Sequence, residues 1–409
     1  MRIAYILADP GIGLFGSKGA SVHVQEMIRA FCQLGHQVTV YCTKRGNAAG
    51  DPSSESAAED LAAVPVHVVP VSGAKGAAAR EQAVTRTATQ MAALGREEPY
   101  DLIYERYSLF SDAGAALAEA LSVPLVLEVN APLLHEQATH RSLHDVAGAQ
   151  RATLRSFAAA DVISCVTEPV ADWVREFTRQ HQTAASRVLV NPNGVRAERF
   201  GPRPLPAPAA EAPFTVGFLG TLKPWHGTDV LLRSFAAAAS AQRREWRCEI
   251  LGDGPQRAEL QRLTEQLGIE AQVRFRGSVS PDRVPEALAQ WDVAVAPYPE
   301  PGPDGTHYFS PMKVYEYLAA GLPIVASAVG ELPQIIDDGV TGVLLPGSDV
   351  AALTERLSQL AAEPQHRASL GAAARAEAVA QHSWRSRAST VLEALELQQP
   401  MPAREVLVR

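Results

Sequence analysis

Hydrophobic positions in this chain fall into short runs of roughly four to eight residues, rich in β-branched side chains, separated by longer stretches with helical spacing. The first series reads RIAYILAD, a helix over 20–34, QVTVYCT, VPVHVVPV, a helix over 78–95, DLIYER, a helix over 111–121 and PLVLEV. It continues with one long helix over 133–157, DVISCVT, a helix over 169–180 and RVLVNPNG. The strand segments do not alternate polar with apolar, so each is predicted to be covered on both faces, as in a doubly wound parallel sheet. Two polar or small-residue segments, from Gly46 and from Ser72, interrupt the series as loops.

Four prolines between Gly201 and Glu211 mark a semi-rigid linker over 201–213. Beyond it the alternation restarts: TVGFLG, a helix over 227–241, RCEILGDG, a helix over 255–267, VRFRG, a helix over 282–290 and DVAVAPY. The stretch from Asp304 to Gln334 then supplies a loop, a helix and the strand PIVASAV, followed by GVLLPG, helices over 349–382 and a last helix over 383–398. The fold class is therefore α/β, with two doubly wound Rossmann-like domains over 1–200 and 214–382 and a C-terminal segment over 383–409. Ligands of such sheets sit outside the carboxyl ends of the strands.

The stretch from Asp304 carries the clearest chemistry. Ser310 is a good N-cap, Pro311 suits the first helical position, and Gly321 followed by Pro323 ends the helix. A helix N-terminus presents unpaired N–H groups and partial positive charge, and Lys313 adds a full charge in the first turn. Glu316 lies one turn further on the same face, where it can accept sugar hydroxyls. A solvated Lys–Glu pair is the plain alternative.

Composition changes this picture little. A net charge of -8 excludes a general attraction to nucleic acid or anionic lipid, and 46% hydrophobic with 20% charged residues is ordinary for a soluble protein. The N-terminus enters a strand directly and no apolar run reaches membrane-spanning length, so a cytoplasmic location is expected. Cys32, Cys42, Cys165 and Cys248 are scattered among apolar residues and read as reduced, buried and structural. A basic patch of Arg151, Arg155, Arg175 and Arg179 with Trp173 and Phe177 suggests either a membrane-surface contact or a solvated face.

Other motifs are weaker. Gly11, Gly13 and Gly16 form a literal G-x-G-x-x-G, but the helix starts only after Gly19, near Ser21, and the second strand ends in Lys44 and Arg45 instead of an acid. A glycine loop closing on a ligand fits better than a dinucleotide fingerprint, with a long surface turn as the plain alternative and an NADP-dependent oxidoreductase as a distant one. Glu136, His140 and His144 fall at four-residue intervals in the long predicted helix, a candidate metal stripe or a polar face, and no further ligand cluster accompanies them. With no D-x-D in the chain, no metal is expected, and anionic charge would be neutralised by cations and helix dipoles. GTLKPWHG, from Gly220, puts Lys223 and His226 at a strand's carboxyl edge, either an anion site or an ordinary turn.

Taken together, GSKGASVHV, LGHQVTV, NPNGVRAERF, FLGTLKPWHG, LGDGP, FRG and SPMKVYEYLAAGLPIVAS resemble, over nearly the whole chain, family 4 of the retaining glycosyltransferases with the GT-B fold. The resemblance implies an acceptor-binding first domain, a nucleotide-sugar-binding second domain and a last helix that packs back on the first. It places Gly16 and Gly19 in the loop near the diphosphate, and Gly220, Lys223, Ser310, Pro311, Met312 and Lys313 around the phosphates. Glu316 falls on the ribose, Gly252, Arg276, Gly277 and Val279 near the base, and Glu128, Asn130 and Glu136 on the acceptor side. Lys313, Glu316 and His226 are the implied catalytic set.

Some positions depart from the family. Thr221 and His226 stand where it has Arg and Lys, so the diphosphate charge falls to His226, Lys223 and Lys313. Tyr308 replaces a Glu at the donor sugar, with Asp304 or His307 as substitutes, and Arg196 replaces an acid. The implied reaction is transfer of a hexose-like sugar from a UDP-, GDP- or similar donor to the hydroxyl of a glycan, lipid-linked or small-molecule acceptor, with retention and no cofactor. A nucleotide-sugar epimerase, a sugar phosphorylase and a non-catalytic sugar-nucleotide-binding protein use related plans.

Overall fold

The computed structural model describes residues 1–46, 60–73, 75–140, 142–183, 187–203, 213–302 and 307–396, which form two compact units. The first contains Met1–Pro192 and the C-terminal helix Trp384–Glu396. Its sheet comprises β1 (Arg2–Leu7), β2 (Gln37–Cys42), β3 (Val66–Val68), β4 (Leu102–Arg106), β5 (Leu125–Val129), β6 (Val162–Cys165) and β7 (Arg187–Val190). All pairings are parallel, in the order β3-β2-β1-β4-β5-β6-β7. β4, β5 and β6 are buried at every position because helices cover both faces, which explains their unbroken apolar runs.

The second unit, Asn193–Ser383, repeats the plan. Its strands β8 (Phe214–Leu219), β9 (Trp246–Leu251), β10 (Val273–Gly277), β11 (Val293–Ala296), β12 (Ile324–Ser327) and β13 (Val343–Leu345) are parallel in the order β10-β9-β8-β11-β12-β13. One apolar cluster joins Leu231, Phe235, Leu357 and Leu360 to Phe214, Trp246 and Ile250. A second joins Val314, Leu318, Ala374 and Ala378 to Trp291 and Ile324. The sheet is thus packed on both sides.

The division falls between Pro192 and Asn193, upstream of the boundary expected at 200. Asn193 bonds to Ser310, and Val195 bridges to Ser383 and takes the carbonyl of His382 at 2.7 Å, which ties this segment to the second unit. Most of the expected linker, 204–212, lies outside the described residues, as does most of the loop after Gly46. The final helix packs on Gly19–Gln33 and β6, with Trp384 edge-on to His23 at 4.9 Å, and Arg387 accepting from Asn191 at 3.1 Å.

Several local expectations change. Residues 133–157 form two helices, Leu133–His140 and Val146–Ala159. Glu81 holds the break by accepting the N–H groups of His144 and Asp145 at 3.0 and 2.8 Å, and Asp145 caps the second helix through Gly148. His144 is therefore off the helix, and the stripe with Glu136 and His140 does not exist. The segment from Ser72 is a loop only in part, since Ala77–Arg80 are the first turn of the helix Ala77–Gly95. Cys42, Cys165 and Cys248 are buried, but Cys32 is exposed, on the solvent side near the end of its helix. Among the described residues no helix is long and apolar enough to cross a membrane.

Candidate functional site

The second sheet reverses its winding between β8 and β11, which opens a crevice at the carboxyl ends of these strands. Gly220 follows β8 there, Tyr298 lies just past β11, and Lys313 arrives from the first turn of Met312–Ala319. Lys313 Nζ stands 4.2 Å from the Phe218 ring centroid and 5.0 Å from that of Tyr298. It is buried and has no hydrogen-bond partner. Burial without a counter-charge pushes its pKa down to about 7.

Ser310 does not cap this helix. Its Oγ accepts the Asn193 N–H at 3.1 Å and its carbonyl accepts Asn193 Nδ2 at 2.6 Å, so Pro311 takes the cap position with no capping side chain. The helix Met312–Ala319 thus starts without a side-chain cap and carries Lys313 in its first turn, a combination suited to phosphate. Glu316 follows one turn later and is half-buried.

The turn after β8 is built on glycine. Gly220 has φ +145° and Gly252, after β9, has φ +138°; a Cβ on Gly252 would lie 1.9 Å from the Gly220 carbonyl oxygen. This close approach, together with Gly252 N–H donating to the Gly277 carbonyl at 2.8 Å, draws the ends of β8, β9 and β10 together. Arg276 lies 3.9 Å from Glu249, and Val279 packs against the core. The residues expected around phosphate and base therefore share one edge of one sheet.

Lys223 lies over Trp225, 4.6 Å from its centroid, with that ring half exposed. His226 Nδ1 bonds to the Thr221 carbonyl. A carbonyl only accepts, so Nδ1 carries the proton and Nε2 is the free acceptor of the neutral ring. Burial, and then the charge of Lys313 and of Lys223, lowers the His226 pKa to about 3, the Thr221 bond opposing them. His226 is therefore neutral at pH 7, which corrects the expectation that it shares the diphosphate charge. Lys223 and Lys313 are cations at this strand edge.

Around the expected sugar position, Tyr308 is half-buried and Asp304 lies outside the described residues. His307 Nε2 donates to the Pro299 carbonyl at 2.8 Å, leaving Nδ1 as an acceptor. Tyr298 was not singled out from sequence, yet its ring lies 5.6 Å from His226, 6.4 Å from His307 and 4.5 Å from Phe309. Its position just beyond a strand at the winding reversal is the signal that points to it. Asn193, which fixes Ser310, left no such signal.

In the first unit the glycine loop is pinned. Leu14 and Phe15 donate to the carbonyls of Lys44 and Arg45 at 3.1 and 2.8 Å, and Gln25 Nε2 donates to those of Leu14 and Gly16 at 2.9 Å each. A Cβ on Gly16 would stand 2.6 Å from Ser21 Oγ. Gly19, expected ahead of the helix, is its first residue.

Glu128, at the end of β5, is 3% exposed, bonded to His23 and 3.8 Å from Arg106 Nη1. Burial favours its protonation, but the charge and hydrogen bond of His23, then Arg106 and Asn130, outweigh that and hold it down at about 2. Glu128 is thus part of a buried ionic cluster. Glu136 instead lines a cavity of about 470 Å³ with Asp9, Arg80, Ser108 and Gln137. Of the basic patch, Arg155, Arg175 and Arg179 are paired with acids, and Trp173 and Phe177 pack on Phe157, so the patch is largely neutralised. Among the described residues no three His, Cys, Asp or Glu side chains could hold a metal ion.

Residues 17–199 match the family described as Glycosyltransferase Family 4, and residues 213–363 that described as Glycosyl transferases group 1. The chain is 30% identical, over 421 residues covering 95% of it and 88% of the relative, to a D-inositol 3-phosphate glycosyltransferase of Streptomyces coelicolor. It is 30% identical over 238 residues, 55% of this chain and 62% of the relative, to a GDP-mannose-dependent alpha-(1-6)-phosphatidylinositol monomannoside mannosyltransferase of Mycolicibacterium smegmatis. In fold it resembles Anabaena HepE, solved with UDP and glucose, at a TM-score of 0.69, 17% identity and coverage of 97% of this chain and 99% of the other. Sucrose-phosphate synthase of Thermosynechococcus elongatus matches at 0.69, with 18% identity and coverage of 97% and 98%. With these matches spanning both sheets, the chain belongs to glycosyltransferase family 4 and has the GT-B fold.

Proposed function

We propose that this chain transfers a sugar from a nucleoside-diphosphate sugar, UDP- or GDP-linked, to an acceptor hydroxyl with retention at the anomeric carbon and without a metal. The observation that carries this reading is the buried, unpartnered ammonium of Lys313 at an uncapped helix start. A cation in that state is stabilised by a diphosphate, and its charge is worth most as the leaving group develops negative charge in a dry site. Glu316 would receive the ribose hydroxyls, while His226 Nε2, an acceptor, would take a sugar hydroxyl. Gly252, Arg276, Gly277 and Val279 would border the base, with His307 and Tyr308 near the donor sugar. The cavity lined by Glu136 would take the acceptor, whether glycan, lipid-linked or small molecule.

In the reaction the bond from the anomeric carbon to the phosphate oxygen breaks and the acceptor oxygen bonds to that carbon on the same face. The acceptor proton passes to the departing phosphate. Lys313 and the helix N–H groups hold the negative charge. A panel of nucleotide sugars with sugar and polyol acceptors tests this: one donor should give nucleoside diphosphate and a product whose anomeric configuration, read by NMR, is that of the donor. Activity should persist in EDTA and vanish in Lys313→Ala. Inverted product or a trapped glycosyl-enzyme would refute the mechanism, and epimer formation without acceptor would refute transfer.

A further inference from the structure

At the amino ends of β11 and β12 in the second unit lies a cavity of about 540 Å³. Asp292, directly before β11, and Pro323, directly before β12, line it, so it stands at the opposite end of the strands from Gly220 and the crevice. Its long wall is the helix Pro364–Gln381, which contributes small side chains such as Ala372. Nothing in the proposed transfer reaction uses it.

Its charge is unbalanced. Arg203, Arg367 and Arg375 line the cavity against the single carboxylate of Asp292. Arg367 is 2% exposed, and its Nη2 lies 3.7 Å from Asp292 Oδ1 with no hydrogen-bond partner. Arg203 Nη1 is likewise buried and unpartnered. Asp292 is already engaged, since its Oδ2 accepts the Thr215 N–H at 2.9 Å. Arg203 and Arg367 are held below the usual guanidinium value by burial, Asp292 opposing, and Arg203 also by the charge of Arg367. Arg203 Nη2 donates to the Trp291 carbonyl and Arg367 Nη1 to those of Leu360 and Ala361, so one buried nitrogen of each is left without an acceptor. That carries a desolvation cost which an oxyanion relieves, and the planar guanidinium suits its geometry.

We propose that this cavity binds a small organic anion, with an oxyanion head facing the arginines and a slim apolar body along the alanine-lined wall. The site is separate from the donor crevice but linked to it. Arg375 donates to the carbonyl of Ala319, the last residue of the helix whose first turn carries Lys313. An anion that draws on Arg375 therefore acts on the far end of the donor-binding helix.

Phenyl phosphate, titrated calorimetrically into the full chain at constant ionic strength, is a suitable probe because it joins an oxyanion to an apolar ring. Ala372→Trp fills the cavity from an exposed position, and Arg203→Gln removes one cation; both should weaken binding by about tenfold or more, whereas Lys313→Ala should change it by less than about twofold. Thermal melts establish that each variant is folded, and Ala372→Trp alone decides the question if Arg203→Gln is not. Absence of binding to the wild-type chain, unchanged affinity in Ala372→Trp, or loss of binding in Lys313→Ala would each overturn the proposal.

Discussion

Lys313 Nζ stands 2.8 Å from the point that a Cβ on Gly220 would occupy, so the ammonium and the turn after β8 share one small space. Only glycine leaves that space open, and at φ +145° only glycine adopts the backbone without strain. Gly220→Ala should therefore displace Lys313 and strain the turn, at a cost of about 1–3 kcal/mol. Calorimetry should show nucleoside diphosphate binding at least ~10-fold weaker, about 1.4 kcal/mol. Wild-type affinity would count against the shared space.

Lys313→Met should separate stability from function. The thioether fills much of the same volume without an unpaired buried charge, so the ligand-free variant should melt at a higher temperature than the wild type. Turnover should fall by roughly 100-fold with the loss of a cation at the leaving group. Differential scanning calorimetry and a product assay on the same preparation provide the check; a lower melting temperature would mean that the ammonium has a partner when ligand-free.

The depressed pKa of Lys313 has a definite sign. Its ordinary value is 10.5 and the folded value about 7, so between these pH values the unfolded chain holds a proton that the folded, ligand-free chain has released. This group's contribution to stability therefore rises with pH across that window. Under the proposed function, a diphosphate bound beside it would keep Lys313 protonated. Donor-nucleotide binding at pH 8 should take up close to one proton, measurable by calorimetry in buffers of different ionisation enthalpy, and Lys313→Met should abolish the uptake.

Glu128 has the same sign in a more acid window, because its charged form is favoured by its neighbours instead of its neutral form by burial. Its folded value near 2 lies below the ordinary 4.5, so its contribution is complete above pH 4.5 and is lost as pH falls toward 2. Glu128→Gln should flatten that acid limb and, by leaving Arg106 and His23 without their carboxylate, cost about 3–5 kcal/mol at pH 7. Urea denaturation of variant and wild type across pH 2–7 would show both effects; parallel stability curves would mean that the cluster is not ionic.

The sheets were legible in the sequence because strands covered on both faces must read as continuous apolar runs between helical stretches. The crevice was legible at Lys313 and Gly220, where a helix start, a first-turn charge and a strand-end glycine coincide. What escaped was decided by tertiary hydrogen bonds. Ser310 has the chemistry of an N-cap, but Asn193, over a hundred residues earlier, takes its Oγ. The break before Val146 depends on Glu81, on another helix. The neutrality of His226 follows from its burial and from two neighbouring lysines, which spacing along the chain does not reveal.

The helix Trp384–Glu396 gives the chain an insertion topology. Because the last described helix belongs with Met1–Pro192, the second unit is a cassette set into the first, and the bridge between Val195 and Ser383 brings its entry and exit side by side. Exchanging the second unit between relatives therefore calls for transplanting 193–383 as a block with two junctions. A simple fusion of front and back halves near residue 200 would pair the receiving first unit with a foreign closing helix, and would sever Asn193 from Ser310.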